Sequence, residues 1–111
     1  MRANYGVYKA DHFRLCAELL VLSGLCGSHQ EFWKSWAGLS EPLPKGLDRH
    51  VHLSSHNIAS IKGSIGAQAI IIDDCIDHVA TKSEQDQLYR DFETLHVASR
   101  MISLAVQTKL Q

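Results

Sequence analysis

A helix wound through Ser54-Ser55-His56-Asn57-Ile58-Ala59-Ser60-Ile61-Lys62-Gly63-Ser64-Ile65-Gly66-Ala67 separates into two distinct faces. Ile58, Ile61 and Ile65 fall on one side, and Ala69, Ile72, Ile76 and Val79 carry the stripe onward. That apolar ridge reads as the core-facing side. The opposite side carries His56, Ala59, Ser60, Gly63 and Ala67. Every helical neighbour of this histidine is small, so its imidazole stands on open ground where another macromolecule can reach it.

The rest of the chain supports a helical reading. Asp11 is placed to cap a helix with Phe13, Cys16, Ala17 and Leu20 on one side and Leu15, Leu19, Leu22 and Cys26 on another. A helix apolar over most of its circumference is either central in a bundle or covered by a partner chain. Gly24 and Gly27 end it. Ser28-His29-Gln30-Glu31 has capping-box spacing and opens a short helix through Phe32, Trp33, Trp36 and Leu39. Pro42 and Pro44 mark residues 40–47 as a linker. One long helix is then expected from Asp48 to Ala80, with Ile70, Asp74, Asp77 and His78 outward, and a last one from a cap at Ser83 nearly to the carboxyl end. Residues 1–10 show no sustained period and read as a loose lead-in. No long stretch alternates with period two. The expectation is all-α: a single helical domain over residues 1–111, built as an up-and-down four-helix bundle.

Composition narrows the function classes. A net charge of −1 with scattered Lys and Arg gives no electrostatic footprint for nucleic acid. The apolar run Leu15–Cys26 contains Glu18 and is too short to span a bilayer, and the amino end lacks signal-peptide order. Cys16, Cys26 and Cys75 are odd in number and lack C-x-x-C spacing, so buried reduced thiols in a cytoplasmic protein are expected.

The stretch around His56 resembles the motif of histidine phosphotransfer domains. His56, Ile58, Ser60 and the pair Gly66-Ala67 occupy places that the family's motif fills with histidine, a large aliphatic, a small residue and Gly-Ala. Ala59 stands where a lysine is common, and Lys62-Gly63-Ser64 lies three residues downstream of the family's Lys-Gly-Ser. Ser55-His56-Asn57-Ile58 followed by a helical hairpin is also similar, more weakly, to the dimerisation and phosphoacceptor domain of sensor histidine kinases. Both resemblances imply His56 as phosphoryl acceptor. They imply a response-regulator receiver domain or hybrid histidine kinase as partner, and a docking face of Leu53, Ala59, Ser60, Gly63, Ala67 and Ile70. They imply no cofactor of the chain's own, Mg²⁺ being supplied by the receiver.

Two other readings stay open. The Ala59-Gly63-Ala67 stripe also suits close helix packing, which would make the chain a non-catalytic interaction module, with a homodimer possible. His12, Cys26, His52 and His56 are chemically suited to zinc. Glu93-x-x-His96 is a single copy of a motif that di-iron bundles need twice, and Asp73-Asp74-x-x-Asp77 reads as helix surface.

Overall fold

The computed structural model describes residues 5–39 and 50–110. The fold is mostly helical, with a small two-stranded sheet. In chain order it runs β1 (Tyr5–Lys9), α1 (Ala10–Leu22), α2 (His29–Glu31), a π-helical turn (Phe32–Trp36), β2 (His50–Ser54), α3 (Ser55–Ile76) and α4 (Lys82–Gln107).

The sheet corrects the all-α expectation. β1 pairs antiparallel with β2, from Tyr5 opposite Ser54 to Lys9 opposite His50. Residues 5–9 of the expected lead-in are therefore a strand. In β2, Val51 and Leu53 are buried while His50 and His52 are exposed, so the strand does alternate. The alternation is only five residues long and runs without a loop into a helix, so it merges with the helical period that follows. Over the described part of the span expected as one helix from Asp48 to Ala80, the chain is instead β2 followed by α3. The linker expected at residues 40–47 lies outside the described residues.

Ser54 sets the boundary between β2 and α3. Its backbone is still extended, and its Oγ accepts from the Asn57 N–H at 3.0 Å, while Asn57 Oδ1 accepts from the Ser54 N–H at 2.9 Å. This reciprocal capping box satisfies two donors that a helix start otherwise leaves open. Asn57 is 5% exposed and also donates from Nδ2 to the Ala37 carbonyl at 2.9 Å, which ties the segment after the π-turn to α3. Ser64 Oγ adds a second tie, donating to the Trp36 carbonyl.

The other ends follow local chemistry. α1 stops at Gly24, whose φ of +82° closes the turn while Cys26 N–H donates back to the Leu20 carbonyl. Asp11 lies in the first turn of α1, whose cap position is Lys9, so the expected cap is displaced by the strand running straight into the helix. Ser28 caps α2 by accepting from Glu31 N–H, and the Glu31 carboxylate accepts from the Gly27 N–H one residue before the cap. α4 is capped by Thr81, accepting from Glu84 N–H, rather than by Ser83. Residues 77–81 turn α3 back onto α4 as a helical hairpin.

α4 is the central helix, packed against both α1 and α3 through Leu95, Ala98, Ile102 and Ala105. A chain of aromatic contacts fills the region below β1 and α1. Tyr8 meets Phe13 edge-on at 5.8 Å, Phe13 meets Trp33 at 6.2 Å, and Phe32 touches both Trp33 and Trp36. Beyond α4 the chain lies along the free edge of β1, where Leu110 N–H donates to the Val7 carbonyl at 2.7 Å and Lys9 N–H donates to Thr108 Oγ1.

Asn57→Ala should lower stability by about 2–3 kcal/mol, because a cap is lost and the buried Ala37 carbonyl is left without its donor. Asn57→Asp should not rescue it, since the Nδ2 donor is missing there too. Urea unfolding of the three proteins checks this, with loss from Asn57→Ala below about 0.5 kcal/mol counting against the assignment.

Candidate functional site

α3 places its two faces as its sequence period requires. Ile58, Ile61, Ile65, Ile72 and Ile76 are buried against the rest of the molecule, with Ala69 and Val79 half-buried. His56, Ala59, Gly63, Ala67 and Ile70 are all exposed on the opposite side, Ile70 at 65%. His56 is the second residue of a 22-residue helix. Its ring therefore stands at the positive end of the helix dipole, where negative charge is favoured.

The ground along this face is open. A Cβ built on Gly63 or on Gly66 meets nothing within 4 Å. Ser60 is half-buried, because residues 37–39 come alongside it, and a Cβ on Gly38 would lie 3.5 Å from its Oγ. Lys62 is exposed on the flank, off the line of His56.

One residue of the expected docking face is elsewhere. Leu53 is fully buried at 0% exposure, because the phase of β2 turns it inward beside Val51. A helical period through this segment would place it outward, and the period of two moves it into the core.

Among the described residues no group of three or more His, Cys, Asp or Glu is arranged to hold a metal. His52 and His56 are exposed, and His12 lies half-buried in α1 with its Nδ1 buried and without a hydrogen-bond partner. Cys26 is buried, its thiol donating to the Ser28 carbonyl at 3.3 Å. Glu93 and His96 are both exposed on α4, and His96 stacks on Phe92. Asp73, Asp74 and Asp77 are exposed on α3 and its end.

The three cysteines divide. Cys16 is fully buried and its thiol donates weakly to the Ala98 carbonyl, whereas Cys75 is exposed, contrary to the expectation of three buried thiols. Burial first, and the neighbouring Cys26 second, push the Cys16 thiol up to about 12. Burial also pushes the Cys26 thiol up. Neither is a reactive thiolate near neutrality.

Asn57 is the residue of this site that the sequence reading passed over. Its side chain is turned inward, one position from His56, and its hydrogen bonds fix the first turn that carries the imidazole. The spacing Ser54-x-x-Asn57 was its available signal.

Comparisons of the chain with protein-family models, with curated proteins and with solved structures find no match.

Three outcomes follow from this geometry. Gly63→Ala and Gly66→Ala should each stabilise the protein by about 0.5–1 kcal/mol in thermal or urea unfolding, since both glycines lie inside a helix with room for a methyl group. A loss of stability in either would show a close neighbour on this face. Cys75 should react with a thiol reagent under native conditions while Cys16 and Cys26 react only on unfolding. Because the folded state keeps the Cys16 proton that the unfolded state releases, stability should fall as pH rises from the ordinary thiol value of 9.0 toward about 12. In Cys16→Ala that part of the alkaline loss should disappear.

Proposed function

We propose that this protein is a histidine-containing phosphotransfer protein that relays a phosphoryl group through His56 to or from an aspartate of a response-regulator receiver domain. The observation that carries the reading is the exposed imidazole on the outward face of α3, in line with the exposed small residues Ala59, Gly63 and Ala67. In this reading α1, α3 and α4 run up and down as three helices of a bundle, and the α2 segment with its π-turn takes the fourth place. The protein would act in the cytoplasm, with a receiver or a hybrid histidine kinase as partner.

The chemistry asks little of the chain. A ring nitrogen of neutral His56 attacks the phosphorus of the aspartyl phosphate, the P–N bond forms as the P–O bond breaks, and the carboxylate leaves. The receiver contributes Mg²⁺ and its acidic pocket, because phosphoryl transfer depends mainly on positioning and charge stabilisation. On this side, Ala59, Gly63 and Ala67 leave space for the partner's loops. The exposed Ile70, about 21 Å along the helix from His56 at 1.5 Å per residue, offers an apolar contact. The helix N-terminus favours the negative charge of phosphohistidine over the first turn. Asn57 and Ser54 hold that turn in place.

Phosphoramidate, a small-molecule histidine phosphodonor, tests the first requirement. Wild type should gain an alkali-stable, acid-labile phosphate that maps to the peptide containing His56, and His56→Ala should gain none there while keeping its circular dichroism. Equal labelling of both proteins, or of neither, would remove the proposal. A labelled protein should then donate its phosphate to a receiver domain, and Gly63→Leu should slow that transfer by at least about tenfold while leaving phosphoramidate labelling unchanged.

A further inference from the structure

We draw no further inference here: the strongest candidate, the apolar surface patch of Leu15 and Leu22 on α1 with Val97 and Leu104 on α4, is exposed with nothing in the structure to show what covers it.

Discussion

The buried amide of Asn57 is the interaction on which the surrounding structure depends. Its Oδ1 accepts from Ser54 and so ends β2, its own N–H closes the capping box and so starts α3, and its Nδ2 holds the Ala37 carbonyl. One side chain thereby joins a strand end, a helix start and the segment leaving the π-turn. An apolar residue of similar size would fill the space but leave the Ser54 N–H and the Ala37 carbonyl without partners, which is the costlier outcome in a buried site. The direction of His56 follows from this. With the first turn of α3 held from the inside at Asn57, the preceding residue, His56, is turned outward.

The core shows why a strand pair sits among helices. The aromatic run Tyr8, Phe13, Trp33, Phe32 and Trp36 needs a surface wider than one helix can offer. Tyr8 comes from β1, and Val51 and Leu53 come from β2, so the small sheet supplies side chains to that end of the core. α4 provides the other boundary. Its buried positions are Leu95, Ala98, Ile102 and Ala105, and the two alanines let the neighbouring helices approach closely.

The two-faced character of α3 was legible in the sequence because its isoleucines repeat over many turns, and a long period leaves little ambiguity. The glycine that ends α1 and the serine that caps α2 were legible for the same kind of reason, each being a residue with a specific backbone or hydrogen-bonding role. The strands were not. Each is five residues long and continues directly into a helix, so neither has turn residues on its carboxyl side to separate it from the helical period that follows. That omission carried into the site, since Leu53 changes from outward to buried when residues 50–54 are read with period two. The exposure of Leu15 and Leu22 was half legible. Sequence showed that α1 is apolar all round, and only the packing shows which side remains uncovered.

The hydrogen bonds that bind residues 108–110 to β1 have a consequence for how the chain assembles. Lys9 and Thr108 are 99 residues apart, and β1 has its strand partner on the far side of α1 and the π-turn. Contacts so distant in sequence carry a large closure entropy before they contribute anything, whereas α3 and α4 meet across a five-residue turn. The α3–α4 contacts therefore close at a lower entropic cost than those of β1 with β2 or with residues 108–110. In any partly folded molecule the open edge is that of β2, a strand with unpaired backbone groups. Residues 5–9 cover one edge of β2, and residues 108–110 in turn cover the outer edge of β1.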